Sequence, residues 1–225
     1  LRRKLTLDKN LTVPHAALGH LRGGRALNIA RVDNATLESL QLGKDVLVYD
    51  IGGGEFDHHQ LGRNGKRENG IYYSSVGLIW RKFVKILCSN ERVCQRVDDK
   101  LISVIDAGDN GQFPDVANGI PVLNISDIAE GFNPLWNENQ DKARQDYCFL
   151  EAVDFMYGVL DRTIRECEAI ELARKEILEA IEKSQDGIMV LKNYLPWKSV
   201  LLDCGLRKAE EIRLVVYPSN RGGFY

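Results

Sequence analysis

No stretch of this 225-residue chain approaches the roughly 18 uninterrupted apolar residues that a membrane span needs. The first residues, Leu1-Arg2-Arg3-Lys4-Leu5, lead into no apolar run of the kind a secretory leader carries. A membrane or exported protein is therefore not expected. An excess of one charge is also missing: 30 Lys and Arg face 32 Asp and Glu, a formal charge of −2. That excludes a strongly basic protein coating nucleic acid non-specifically, although it leaves room for a local basic groove. The five cysteines, Cys88, Cys94, Cys148, Cys167 and Cys204, are odd in number and scattered. They fit neither a disulfide framework nor a zinc finger, and read as reduced thiols in cytoplasm or in an organelle with a reducing interior. Internal repeats and low-complexity tracts are absent. What remains is an ordinary globular composition, 44% hydrophobic and 28% charged, long enough for one or two domains.

Apolar and polar residues alternate over Ala26-Leu27-Asn28-Ile29-Ala30-Arg31-Val32, as in a half-buried strand. The short apolar run Asp45-Val46-Leu47-Val48-Tyr49-Asp50, closed by Gly52-Gly53-Gly54, predicts a buried central strand that delivers Asp50 to its C-terminal edge. Ser74-Ser75 can cap a helix over 73–89, and a second amphipathic helix over 91–108 ends near Asp109-Asn110-Gly111. Residues 112–140 look irregular, with Ile120 to Ile125 as a short extended piece. One long helical pattern runs over 141–183, where Gly158 is a candidate bend. Three further strands are predicted at 187–191, 200–202 and 212–217.

The chemistry concentrates after the second strand. Asp57-His58-His59 follows Asp50 within a Gly-rich turn, and two imidazoles with two carboxylates at a buried strand's exit must be paired to be desolvated. A hard or borderline divalent cation would pair them, and no thiolate lies near enough for a closed structural zinc site. The competing reading is a solvated surface turn. A second acidic patch, Asp106 and Asp109, closes the helix over 91–108, where ordinary helix-end turn chemistry competes with metal ligation. Ser219-Asn220-Arg221-Gly222-Gly223 combines backbone N–H groups with a guanidinium, a combination that could hold phosphate or form a plain hairpin turn.

Six ordered segments carry a resemblance: Tyr49-Asp50-Ile51-Gly52-Gly53-Gly54-Glu55-Phe56-Asp57-His58-His59-Gln60, Arg67-Glu68-Asn69-Gly70, Ser74 to Trp80, Ile105 to Gly111, Phe132-Asn133-Pro134-Leu135-Trp136 and Pro218 to Phe224. Together, over about residues 25–225, they resemble the Myg branch of the DHH phosphoesterase superfamily.

The resemblance implies an α/β fold: a DHH-type N-terminal domain (1–140) with a central, mostly parallel sheet flanked by helices, a connecting helical segment (141–183), and a smaller, incomplete α+β substrate-binding domain (184–225). It implies a Mn²⁺ or Mg²⁺ centre, with two ions expected and one allowed. Asp50 would bridge the ions, His58 and one of Asp106 or Asp109 would ligate them, and Asp57 and His59 would act beside the scissile phosphate. Ser219, Asn220, Arg221, Gly222 and Gly223 would bind substrate. The implied activity is 3′–5′ exonucleolytic cleavage of RNA or short oligonucleotides. The alternatives are a small-molecule phosphatase, a cyclic-dinucleotide phosphodiesterase, or a metal-binding regulatory protein without turnover; no membrane partner is implied, and an oligomer is allowed.

The family's N-terminal motif, His-x-x-x-Phe-His-x-Asp-Asp or similar, is not matched in full. His15 and His20 keep the spacing of its two histidines, but Leu21-Arg22-Gly23-Gly24 stands where the acids should be. Either His15 is a first metal ligand whose companion acids are missing between His15 and Ala16, or the site is degenerate and holds one metal.

Overall fold

The computed structural model describes residues 5–7, 29–43, 46–60, 65–113, 122–219 and 221–225. Its contacts divide the chain into two compact units, Leu1–Leu87 with Val97–Asp161, and Cys88–Arg96 with Arg162–Tyr225.

In the first unit, β1 (Leu5–Leu7), β2 (Ile29–Arg31) and β3 (Val48–Tyr49) form a sheet in the order β2-β1-β3. Both of its pairings are antiparallel, with Thr6 opposite Ala30 on one side and Val48 on the other. Among the described residues β3 is thus an edge strand of intermediate burial, whereas the apolar run 45–50 predicts a central one. Between them α1 (Asn34–Ser39) is capped by Asp33, whose side chain accepts from the Thr36 N–H at 2.7 Å.

Ser74 caps α2 (Ser75–Phe83), with Gly77 N–H donating to its Oγ, and a 3₁₀ turn over Val84–Ile86 extends it. Leu78 and Trp80 of α2 are buried. The helical run predicted over 91–108 is present in three parts: α3 (Glu91–Val97), a π turn over Asp98–Ile102, and α4 (Ser103–Asp109). Leu101, Ile102 and Ala107 turn inward, joining Ile51 and Phe56 among the buried apolar residues of this unit. Within 112–140 the structure places a helix that periodicity misses, α5 (Ile125–Glu130). A capping box forms it: Asn124 Oδ1 accepts from the Asp127 N–H at 3.1 Å, while the Asp127 carboxylate accepts from the Asn124 N–H at 3.1 Å. Of the extended piece expected there, residues 120 and 121 lie outside the described residues.

The long helix is continuous. α6 (Lys142–Glu182) has 41 residues and passes Gly158 without interruption. Residues 142–161 belong to the first unit and 162–182 to the second.

The second unit packs Ile170, Ile177 and Ile181 of α6 around Met189, Leu191, Val200 and Ala209. Here β4 (Ile188–Val190) and β5 (Leu214–Val216) pair in parallel, Met189 opposite Val215. Between them lie α7 (Trp197–Asp203) and α8 (Arg207–Glu210). The strand predicted at 200–202 is therefore helical. Three consecutive apolar residues carry no usable period, and in α7 only Val200 is buried while Leu202 stays 86% exposed. No helix among the described residues is long and apolar enough to cross a membrane.

Candidate metal centre

The turn after β3 is built to present side chains. Asp50 adopts φ +62°, a left-handed conformation uncommon for a residue with a Cβ, and Gly52 and Gly53 follow at +82° and +69°. Ile51 and Phe56, 1% and 6% exposed, anchor the turn in the core. The Asp50 N–H donates to the Phe56 carbonyl at 3.0 Å and closes it.

Asp57 organises this turn from within. Its carboxylate accepts from the Gly53 N–H and the His59 N–H, each at 2.9 Å, and lies 3.1 Å from His59 Nδ1. Burial pushes its carboxyl up, but the N–H groups of His59 and Gly53 and the His59 ring outweigh that and hold it below the usual carboxylate range. Gln60 Nε2 donates to the carbonyls of Gly54 and Asp57 at 2.6 and 2.9 Å. Asp57, itself buried, therefore acts as a scaffold for His59.

Asp50, His58 and His59 each offer one ligand atom, and these atoms lie within 4.8 Å of one another. His58 is buried, its ring centroid 4.0 Å from that of His59. Its Nδ1 lies 3.3 Å from Asp50 Oδ1, and its Nε2 lies 3.0 Å from Asp109 Oδ2. Burial alone would lower the His58 pKa, yet Asp50 and Asp109 reverse the sign and raise it. Asp109 is in turn raised, by its own burial first and by Asp50, against the opposing pull of His58. Carboxylates crowded against the His58 ring contribute to both shifts. Two imidazoles and convergent carboxylates are a donor set suited to a divalent cation, which would offset the carboxylate charge.

The two helix-end acids are resolved into different tasks. Asp106 is 0% exposed, and its carboxylate is engaged by Ser74 and Arg67. Its Oδ1 accepts from the Ser74 N–H at 2.9 Å and from the Ser74 hydroxyl at 2.5 Å, and its Oδ2 accepts from Arg67 Nε at 2.7 Å. Arg67 also grips Asp98 from the π turn, with Nη2 to Oδ1 at 3.0 Å. Burial alone would lower the Arg67 pKa, but the two carboxylates raise it. A Cβ on Gly77 would overlap the Asp106 carboxylate, so a glycine is required there. Asp109, three residues on, is the helix-end acid that reaches His58. The second serine of the α2 cap faces the triad: the Ser75 hydroxyl donates to Asp50 Oδ1 at 3.1 Å and lies 3.0 Å from His58 Nδ1, which also accepts from the Ser75 N–H at 3.2 Å.

Arg67, Asp98 and Ser75 were not singled out for a site role by sequence spacing. The adjacent serines with a glycine at position 77 were the available signal, since a cap needs only one hydroxyl.

Ser219, Arg221, Gly222 and Gly223 lie in the second unit, in a turn that pairs Tyr217 with Tyr225 by two 3.0 Å hydrogen bonds. The Ser219 N–H donates to the Gly223 carbonyl, the Gly222 N–H to the Ser219 carbonyl and the Arg221 N–H to Ser219 Oγ. These three donors are thus used within the turn. Asn220 and His15, expected as substrate and metal ligands, lie outside the described residues.

A cavity of about 440 Å³ opens on Asp50 and His59 of the triad, lined also by Asn34, Glu38, Asp57 and Gln60 together with the Gly-rich turn. Among the described residues three carboxylates line it, and no lysine or arginine does.

Among curated proteins and among solved structures, nothing matches the chain. The protein-family model MYG1_exonuc, described as "Uncharacterised protein family (UPF0160)", matches residues 17–225, which include every group of the triad and its supports. The chain belongs to the MYG1_exonuc family.

Proposed function

We propose that this protein is a divalent-cation-dependent phosphodiester hydrolase of the DHH phosphoesterase type, acting on RNA or short oligonucleotides from an end with Mn²⁺ or Mg²⁺. The family's name supports the exonuclease reading. The observation that carries the metal dependence is the convergence of Asp50, His58 and His59 beside a cavity that, among the described residues, three carboxylates and no lysine or arginine line. Three carboxylates at its wall oppose a phosphodiester, and the donor set is suited to offset them with a cation.

Asp50, His58 and Asp109 would hold the metal, with His59 beside them. When bound, a divalent cation supplies Lewis acidity toward a phosphoryl oxygen and offsets its charge. The chain's own groups do the rest. An ionised Asp57 carboxylate can only accept, so in a neutral His59 ring it favours the proton on Nδ1 and leaves Nε2 the acceptor. Asp106, paired with Arg67 and bonded to the Ser74 cap, ties α4 to the start of α2 and so fixes where Asp109 and Ser75 stand.

The cavity volume falls in the range for small ligands and favours short substrates, which keeps a cyclic-dinucleotide phosphodiesterase or small-molecule phosphatase as the second reading. The test is hydrolysis of end-labelled oligoribonucleotides of graded length with Mn²⁺, comparing the parent with Asp50→Ala and His58→Ala. The expected result is terminal shortening by the parent and at least a ~100-fold loss in both variants. Equal rates in all three would reject the centre, and a sharp optimum at two nucleotides would favour the second reading.

A further inference from the structure

Among the described residues no lysine or arginine lines the cavity, yet an oligonucleotide carries a negative phosphate at every linkage. The phosphates that flank the reacting one must be met from outside the cavity. Directly before α2, residues 65–73 form a hairpin. The Arg67 N–H donates to the Ile71 carbonyl at 2.7 Å, the Tyr73 N–H donates to the Gly65 carbonyl at 3.3 Å, and Lys66 bridges Tyr72. It is pinned in place: Arg67 holds Asp98 and Asp106, while the Tyr72 N–H donates to Gln112 at 2.8 Å and the Tyr72 carbonyl accepts from Asn110 at 3.0 Å.

The hairpin and α2 carry four cations of two kinds. Arg67 and Lys82 are offset by carboxylates, Arg67 by Asp98 and Asp106 and Lys82 by Glu55. Lys66 and Arg81, both exposed, have no carboxylate partner among the described residues. Their charges lie over tyrosine rings instead, Lys66 Nζ 4.3 Å from the Tyr72 centroid and Arg81 Cζ 4.7 Å from that of Tyr73. A ring orients a cation without cancelling its charge. Helical side chains lean toward the N-terminus of their helix, so Arg81 reaches back over Tyr73, the residue before the Ser74 cap. Two oriented, uncompensated cations therefore stand beside the helix start whose Ser75 touches Asp50.

We propose that Lys66 and Arg81 bind the phosphates flanking the scissile one in a single-stranded oligonucleotide, and so set a preference for chains of several nucleotides over dinucleotides and simple phosphate esters. This rests on the hydrolase reading above and names its substrate class. Arg81 supplies the planar fork that pairs with phosphate oxygens, and Lys66 supplies a point charge. A dinucleotide has only the scissile phosphate and gains nothing from either.

The experiment measures turnover with Mn²⁺ on the full chain, for a hexaribonucleotide and a diribonucleotide, over a range of salt concentrations. The variants are Arg81→Gln, Lys66→Gln, Arg81→Lys and, as a charge-matched control at an exposed position of the second unit, Lys175→Gln. Arg81→Gln and Lys66→Gln are each expected to raise KM for the hexamer at least ~5-fold while kcat stays within about twofold. Each should also flatten the dependence of log kcat/KM on log salt by ~0.7, the signature of one lost single-strand phosphate contact. Dinucleotide kinetics and Tm should stay close to the parent's, which a purely structural role would not give, and Arg81→Lys should keep the salt slope. Unchanged hexamer KM and slope in both Gln variants, an equal loss on the dinucleotide, or an equal loss in Lys175→Gln overturns this inference and leaves the hydrolase reading standing. Failure of the parent to cleave either substrate overturns that reading and this inference with it.

Discussion

Asp50 stands at φ +62° with its carboxylate turned toward two imidazoles, and a left-handed backbone at a residue with a Cβ is held only where the surroundings enforce it. Here the enforcement is the hydrogen bond to Phe56 and the burial of Ile51. Replacing Asp50 by Gly and by Ala separates backbone from side chain: the Gly variant should be the more stable by about 1 kcal/mol, since only Ala keeps the Cβ penalty, while both lose stabilisation by Mn²⁺. Urea denaturation with and without the ion checks this, and equal stabilities would contradict the backbone geometry. The Arg67–Asp106 pair is a different kind of residue-scale commitment, with side chains 10% and 0% exposed. Arg67→Met leaves a buried carboxylate with the Ser74 donors alone and is expected to cost about 3–5 kcal/mol. The same denaturation series measures it; a cost below 1 kcal/mol would show that Asp106 takes up a proton or reorients at little expense. The Asp50 and His58 chemistry was legible in the sequence, because Asp-His-His after a strand-ending acid is a poor packing choice. The Arg67 pairings were not, since its partners lie 31 and 39 residues away and nothing in local spacing announces them.

Among the elements, α6 agrees closely with its apolar pattern, spanning 142–182 against an expected 141–183. α7 was misread because a three-residue apolar run suits a strand as well as one turn of helix, and α5 was missed because its signal is a capping box rather than a periodic stripe. The direction of strand pairing is a property of which segments meet, which alternation within a single segment does not encode. In the second unit, α6 and α3 are joined by Arg92, whose guanidinium pairs with Glu171. That partner, against the opposing effect of burial, holds the Glu171 carboxyl below its ordinary 4.5. A carboxyl depressed by folding contributes stability that is fully present above its unfolded value and is lost as pH falls through the lower, folded one. Glu171→Gln should therefore be less stable than the parent at pH 7 and converge with it on acidification below about pH 4. A stability gap that stays constant from pH 7 to pH 3 would remove the charge from the explanation.

At the scale of the whole chain, a cation that binds the folded state and not the unfolded one raises stability by about 2.7 kcal/mol at a hundredfold excess over its dissociation constant. Mn²⁺ should thus raise Tm and a chelator should return it, with amide-exchange protection centred on residues 50–60 and 103–110. An ion-independent Tm, or protection confined to residues 188–216, would place any bound metal elsewhere.

The start of α2 also has a consequence for how the sequence can vary. A random library screened only for expression would be expected to retain Gly77 and Ser74, whose neighbours leave no slack, while letting position 75 drift among small residues. Screened for turnover, the same library should freeze all three. One turn of helix would thus record two independent selections side by side, and the difference between the two harvests would read out which hydroxyl serves the architecture and which the reaction.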